Sequence, residues 1–440
     1  MLRTVRVGMM GCGVVGSSVL KVLKNHQKSI ELQTGVSFDV TVISVRDTAK
    51  PRSQVVPEQL LISDPMQVAQ HSKVDVVLEL MGGTDVAHTA VETALRAGKH
   101  VVTANKALLA AQGHALFALA ESQGVDLYYE ASVAGSIPII RILREALTSD
   151  YIEQVQGIVN GTSNYILSRM DTDDLEFADA LREAQQAGYA EADPSLDVGG
   201  GDAAHKLTLI ASLAFAKRFN SNAFAIEGIE NVSRADIVFA RRFGYVIKPL
   251  AVACRSSEHP QELFDLRVHP ALVPADSMMA SIHGALNAVH VKSALMGNGL
   301  FSGPGAGGDP TAMSVVSDLI DLGRNIVAGS AGRVAAGGIP QNDISDAQTK
   351  DIQHHCSRFY LRFRVRDKPG VLAQIAGALG DHDVSIEQMI QDSSLSQTPE
   401  PVYVVVLTHK AREGALHQAL KRIADIKDVV EPPCALRIQE

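Results

Sequence analysis

The stretch "VRVGMMGCGVVG" at residues 5–16 constrains this chain more than any other. An apolar run of strand character, Val5 to Met10, stops at Gly11; Gly13 and Gly16 complete a GxGxxG spacing, and Val19, Leu20 and Leu23 then recur at helical intervals. Strand, glycine loop and helix in that order make the first turn of a dinucleotide-binding βαβ unit, where loop backbone and helix N-terminus receive a pyrophosphate. The glycine spacing is not specific by itself, so its surroundings decide. A second strand, "FDVTVISV" at 38–45, follows the helix, and the apolar runs "VDVVLEL" (74–80), "KHVVTANK" (99–106) and "VDLYYEASV" (125–133) alternate with helical patterns at 87–97 and 107–123. The alternation predicts an α/β domain over residues 1–135, a Rossmann-type doubly wound parallel sheet.

The end of the second strand bears on the cofactor. An NAD-binding fold places an acidic residue there to accept from the ribose 2'-hydroxyl, whereas this chain has Arg46, then Asp47, with Lys50 and Arg52 close by. A guanidinium suits a 2'-phosphate, which favours NADP; Asp47 leaves NAD open.

Past residue 135 the pattern changes. Residues 136–310 mix strands such as "IKPLAVAC" and "LFDLRVH" with helices, and read as a second, α+β domain. It contains "EADPSLDVGGGDAAHKLTLIA" (191–211), in which a helix expected from Ala203 sets Asp202 and Lys206 one turn apart on one face. A surface ion pair there would contribute only about 0.3–0.5 kcal/mol, so stability alone does not account for the density of charge. Asp193, which precedes Pro194, suits a turn as well as a ligand. The glycine-dense "MGNGLFSGPGAGGDPTA" has no GK[ST] and so is no Walker loop; a helix from about 311 to 330 is expected to return to the first domain. Residues 333–357 are small or polar and non-periodic, and are expected to form a flexible linker. Residues 358–440 then read strand, helix, strand, strand, helix, strand, with the last strand at "IKDVV", the order of a ferredoxin-like βαββαβ unit. The turn "DKPG" (367–370) opens its first helix and leaves backbone N–H groups free to meet an anion.

Composition narrows the class. A net charge of −9 over 440 residues, without a basic run, argues against nucleic-acid or membrane-surface binding. Four cysteines, Cys12, Cys254, Cys356 and Cys434, stand far apart with no CxxC spacing, which fits a reducing compartment. With no signal-peptide pattern and no membrane-length apolar run, a cytoplasmic location is expected.

The segments "GCGVVG", "TANKALLA", "NGTSNYIL", "AGYAEADPSLDVGGGDAAHKLTLIA" and "GPGAGGDPTA", in that order, closely resemble the homoserine dehydrogenase family, and residues 358–440 resemble an ACT domain. The resemblance implies reversible NAD(P)H-dependent reduction of L-aspartate 4-semialdehyde to L-homoserine, on the way to threonine and methionine. It also implies that residues 136–310 both catalyse and dimerise, in a homodimer or homotetramer. Lys206, Lys106 and Asp202 would be catalytic, because an aldehyde taking a hydride needs a positive charge and a proton at its oxygen. Glu191, Asp197, Tyr189, Gly161 and Thr162 would bind the amino-acid substrate. Gly11, Cys12, Gly13, Val14, Val15 and Gly16 would hold the cofactor together with Arg46, Gly82, Thr103, Asn105, Lys106 and Gly305. Glu130, with backbone oxygens of Val133 and Gly135, would bind a sodium or potassium ion. In the C-terminal module Asp367, Pro369, Gly370 and Val371 would bind an amino-acid effector, threonine first, and truncation near residue 350 would spare catalysis. Two alternatives stand beside this: aspartate-semialdehyde dehydrogenase, which needs a placed nucleophilic cysteine that no motif here supplies, and a sensor of NADP and an amino acid without turnover.

Overall fold

The computed structural model describes residues 2–53, 55–256, 262–393 and 401–439. The chain divides into two compact units: Met1–Val155 with His205–Ser221 and Asn287–Ala347, and Gln156–Ala204 with Asn222–Leu286 and Gln348–Glu440.

The first unit is built on six parallel strands: β1 (Arg3–Met10), β2 (Val36–Ser44), β3 (Leu61–Ile62), β4 (Val76–Glu79), β5 (His100–Thr103) and β6 (Leu127–Tyr128). They lie in the order β3-β2-β1-β4-β5-β6, which reverses direction at β1 and so creates the crevice where doubly wound sheets bind ligands. Helices α1 (Val14–Thr34), α2 (Pro65–Ala69), α3 (Asp85–Arg96) and α4 (Lys106–Gln123) make the crossovers. Every residue of β4 is buried, as an apolar run covered on both faces requires. A later helix, Gly308–Ala328, joins this core: Val315, Val316, Leu319 and Leu322 cluster with Val19, Leu20 and Leu23 of α1.

In the second unit the long strands Tyr245–Arg255 and Leu263–Pro274 pair antiparallel. The strand Cys434–Ile438 then lies parallel to Leu263–Pro274, through Ala271 opposite Arg437 and Leu272 opposite Ile438, and antiparallel to Cys356–Val365. Val402–Thr408 and Ile386–Asp392 follow. With the helices Val371–Gly380 and Glu413–Ala424, the C-terminal residues form a βαββαβ fold with strand order 4-1-3-2, the ferredoxin-like arrangement.

Two expectations need correction. The fourth strand of this module is not "IKDVV": that stretch forms a turn, Val429 N–H to Ile426 O, and one isolated bridge to Val365. The strand begins after Pro432 and Pro433, because it has a partner on each side and proline cannot donate to a ladder. Nor is the module a separate body. One face of its sheet carries its own helices, with Ile375, Leu379, Leu416 and Ile423 on Phe359, Phe363 and Val404. The other face, with Tyr360, Tyr403, Val405 and Leu436, shares a core with Ile166, Met170, Phe239 and Ile247 of the same unit. The segment 333–357 is likewise held rather than free. Tyr129 donates its hydroxyl to Ala336 O (3.0 Å) in the first unit, and in the second Lys350 N–H meets Phe264 O and His355 Nδ1 lies 2.8 Å from Asp265.

Candidate active site

The glycine loop is shaped by close approach. Gly11 has φ 94°, and a Cβ there would lie 2.5 Å from the Leu80 carbonyl oxygen, so only glycine lets β1 turn beneath β4. A Cβ on Gly13, which precedes α1, would meet nothing within 4 Å among the described residues, so its side of the loop is open to a ligand. Gly16 is buried and lets α1 pack on the loop, since a Cβ would meet Gly11 O at 2.8 Å. A cleft of about 850 Å³ opens over the loop, bounded by Gly11, Cys12, Gly13 and Val14 on one side and Gly82 on another, with Arg46 on its rim. Arg46 is exposed at the end of β2; Arg52 Nη2 donates to Asp47 O (2.6 Å), which braces that loop.

A second cavity of about 410 Å³ lies at the ends of β4 and β5, lined by Val15, Gly82, Asn105, Lys106, Lys206 and Gly305. Asn105 caps α4: its Oδ1 accepts Leu108 N–H (3.1 Å) and its Nδ2 donates to Gly83 O (2.7 Å), which fixes where Lys106, the first residue of that helix, leaves the sheet. Lys206 stands on the helix Gly201–Phe215 and is only 8% exposed. Two lysines distant in sequence thus face one cavity beside the glycine loop. Thr103 lines neither cavity; its hydroxyl donates to Glu79 Oε2 (2.6 Å) and accepts Asn105 N–H (3.0 Å), so it acts beneath the surface. Glu79, which sequence reasoning missed, is fully buried and also accepts Met81 N–H at 2.9 Å, tying the ends of β4 and β5 together. Its signal was an acid ending an otherwise apolar strand.

Glu130 is buried and accepts Ile140 N–H (2.8 Å) and Arg141 N–H (2.9 Å). Burial raises its pKa, and those N–H bonds work against the rise. Val133 is buried close by, and the Gly135 carbonyl oxygen accepts the Ser314 hydroxyl at 2.7 Å. Gly135 also approaches so near that a Cβ would lie 2.5 Å from Gly305 C, which joins this corner to the lysine cavity. Each Glu130 oxygen accepts one of these N–H groups and keeps further acceptor capacity, and carboxylate and carbonyl oxygens are the donors that suit a hard monovalent cation. Among the described residues no three His, Cys, Asp or Glu side chains gather as a metal cluster.

In the second unit Asn160 organises the acidic stretch. Its Nδ2 donates to Asp197 Oδ1 (2.7 Å) and to Asp202 Oδ2 (2.8 Å), while its Oδ1 caps the helix Gly161–Asp173 through Ser163 N–H (2.8 Å). Two carboxylates are thereby held by one amide, and Asp202 is only 4% exposed. Asn160 was missed as a site residue, although it stands in the quoted "NGTSNYIL". Thr162 donates to Tyr189 O (2.7 Å), and the exposed Tyr189 ring packs on Tyr165 with centroids 4.6 Å apart. Glu191 is exposed next to them, and Gly161 begins the capped helix. Asp193 accepts Ser195 N–H (3.1 Å), and hydrogen bonds from Ser195 hold its pKa below the usual carboxylate value; the turn role has direct support.

The thiols do not offer a nucleophile. Burial raises the Cys12 pKa, pushes Cys254 to about 11 and Cys434 to about 12, and Cys356, exposed at a strand start, lines neither cavity. A glycine-loop cleft joined to a cavity with two lysines defines a nicotinamide-dependent oxidoreductase of the doubly wound class. The comparisons carry this to a family. The profile "Homoserine dehydrogenase" matches residues 138–320, "Homoserine dehydrogenase, NAD binding domain" residues 11–130, and "ACT domain" residues 359–428. A homoserine dehydrogenase of Neisseria gonorrhoeae is 39% identical over 438 residues, covering 100% of this chain and 99% of its own. One from Bacillus subtilis is 36% identical over 438 residues, again 100% and 99%. A crystal structure of a homoserine dehydrogenase from Thiobacillus denitrificans superposes with a TM-score of 0.92 at 39% identity, covering 100% and 99%. The chain belongs to the homoserine dehydrogenase family, NAD(P)-dependent oxidoreductases acting on a CH–OH group. No helix among the described residues is long and apolar enough to cross a membrane.

Proposed function

We propose that Lys206 and Lys106 act at the carbonyl oxygen of L-aspartate 4-semialdehyde, with the bound nicotinamide cofactor supplying the hydride. The observation that carries this is the shared cavity of Lys106, Lys206, Asn105 and Gly305 beside the glycine loop. As the aldehyde oxygen gains charge, an ammonium stabilises it and Lys206 gives the proton; in the reverse direction the same lysine takes the proton from the homoserine hydroxyl. Asp202 precedes Lys206 by one turn of the helix Gly201–Phe215. Glu191 receives the substrate ammonium, and Asp197, Tyr189, Gly161 and Thr162 complete the amino-acid pocket.

Gly11 to Gly16, Gly82, Asn105, Lys106 and Gly305 bind the cofactor, Thr103 supporting them from beneath. Arg46 favours NADP over NAD through the 2'-phosphate. Glu130, Val133 and Gly135 hold sodium or potassium, which steadies the corner against Gly305. Residues 1–135 with the returning helix serve the cofactor, 136–310 the substrate and dimer contact, and 358–440 regulation in a cytoplasmic homodimer or homotetramer. Threonine binds with its carboxylate on the N–H groups at Pro369-Gly370-Val371. There Gly370, at φ 91°, opens the helix Val371–Gly380 without a side-chain cap, and Asp367 takes the ammonium. The test is direct: the protein is incubated with L-homoserine and NADP and the reduced cofactor followed by absorbance. Turnover that depends on Lys206 is expected; a Lys206→Ala enzyme within a few-fold of the parent would overturn the assignment.

A further inference from the structure

In a parallel sheet the strand starts and strand ends lie at opposite edges, and the cofactor cleft belongs to the ends. At the other edge of the first unit, where the chain enters β6, a cavity of about 690 Å³ opens between residues 124–127 and the segment 332–340. No part of it touches the cofactor cleft or the lysine cavity. Its wall carries charges of both signs, Arg144 and Arg333 with Glu121, Asp126 and Glu145, and of these Arg144 at 3% exposure and Asp126 at 4% are buried.

Each is only partly satisfied by the protein. Arg144 lies with its guanidinium carbon 4.4 Å above the Tyr128 ring centroid and donates from Nη2 to Glu145 Oε1 at 3.0 Å, while its buried Nε has no hydrogen-bond partner among the described residues. Asp126 Oδ1 accepts Gly332 N–H at 2.8 Å, and its buried Oδ2 likewise has no hydrogen-bond partner among the described residues. His100 Nδ1 is 3.8 Å from Oδ2, but that nitrogen accepts the Asp126 N–H at 3.0 Å and so has no proton to give it. The ion pair of Arg144 is with Glu145, which in turn meets Arg333 at the cavity rim at 3.3 Å. A guanidinium and a carboxylate, each left with an unmade hydrogen bond in a buried position, are unfavourable unless something completes them.

We propose that this cavity binds a zwitterionic amino acid, its carboxylate on Arg144 and its ammonium on Asp126. A simple anion would face the Asp126 carboxylate and a simple cation the Arg144 guanidinium; only a ligand carrying both charges matches both walls. The site is separate from the substrate and effector positions proposed for this chain, and it lies at the start of β6, which is followed by the turn that carries Ala131 and Ser132 of the lysine cavity.

The test uses the full-length protein and saturation-transfer NMR with each of the twenty common L-amino acids, and with propionate and propylammonium as single-charge controls. Ala335, a half-buried uncharged wall residue, is changed to Phe to fill the space, and Arg144→Gln and Asp126→Asn remove one charge each. At least one amino acid is expected to bind the parent and to bind ten-fold or more weakly to all three variants, with neither control binding. An amino acid that still binds Ala335→Phe sits in another site. The proposal fails if Ala335→Phe weakens none of the twenty, if the weakened one binds both charge variants normally, or if a control binds as well. Should a charge variant not fold, Ala335→Phe and the controls decide alone.

Discussion

At the scale of single residues, the chemistry rests on where a charge is set and what holds it there. Lys206→Ala is expected to lower turnover about 10²- to 10⁴-fold, the range for removing a positioned proton donor, with cofactor binding almost intact. Steady-state kinetics beside cofactor titration checks both halves. Arg46→Ala should weaken NADP by about 1.5–3 kcal/mol, the contribution of a hydrogen bond to a charged group, or roughly 10- to 100-fold, and leave NAD nearly unchanged. Equal losses for both cofactors would remove Arg46 from the 2'-phosphate. Asn160→Ala removes a helix cap and the one donor shared by Asp197 and Asp202, so a loss of about 1–3 kcal/mol in stability is expected by thermal or denaturant unfolding. Lys206 and Asp202 were legible because charge stands out beside "LTLIA". Asn160 and Glu79 were not, because a neutral amide and an acid at a strand end show their value only when the fold brings partners to them.

At the scale of elements, legibility followed periodicity. The strand, glycine loop and helix at 5–34 and the alternating runs behind them could be read because buried parallel strands and amphipathic helices leave different repeats. The last strand could not. "IKDVV" has the better strand composition, yet Cys434–Ile438, with Arg437 inside it, is the segment that pairs on both sides. What places it is long-range. Arg437 makes two bonds to Glu227 (2.7 and 2.9 Å) and a further pair with Glu413, partners more than twenty and two hundred residues away. A second link ties Leu263–Pro274 to the segment entering the C-terminal module: Asp265 accepts from Arg267 Nη1 at 2.5 Å and lies 2.8 Å from His355. Burial would raise the Asp265 pKa, but the His355 hydrogen bond and the Arg267 charge outweigh it and hold it well below the usual carboxylate range. A depressed folded-state pKa stabilises above the unfolded value and is lost as pH falls towards the folded one. Asp265→Asn should therefore destabilise by about 3–5 kcal/mol at neutral pH, the range for breaking a buried pair, and the gap to the parent should begin to narrow below about pH 4. Urea unfolding at pH 7 and pH 3 checks this, and a gap unchanged with pH would refute it.

At the scale of the whole chain, the C-terminal module changes from an appended sensor to part of the second unit. Composition suggested a flexible spacer and a removable domain, since 333–357 lacks any periodic pattern; what composition cannot show is a sheet that continues through Cys434–Ile438 into Leu263–Pro274. The consequence for truncation is concrete. Ending the chain near residue 350 would remove Tyr360, Tyr403, Val405, Leu436 and Ile438 from the core they share with Phe239, Ile247 and Leu272. It would also strip Asp236 of Tyr360 Oη (2.9 Å) and Arg362 Nε (2.7 Å), and open one edge of the long-strand pair. Each large apolar residue so uncovered forfeits about 1.5–3 kcal/mol, and a handful exceeds the net stability of an ordinary domain. The truncated chain is thus expected to aggregate or to unfold at a much lower temperature, rather than to survive as a desensitised enzyme. Regulation has to be read in the intact chain. Asp367 is exposed, and its Oδ1 accepts Gln391 Nε2 at 3.0 Å, so Asp367→Ala disturbs no core. Threonine should then inhibit the full-length Asp367→Ala enzyme roughly 10-fold less potently, the loss of one charged hydrogen bond, with kcat and Tm close to the parent. Inhibition curves for parent and variant measure it; unchanged threonine sensitivity would place the effector elsewhere than at the start of Val371–Gly380.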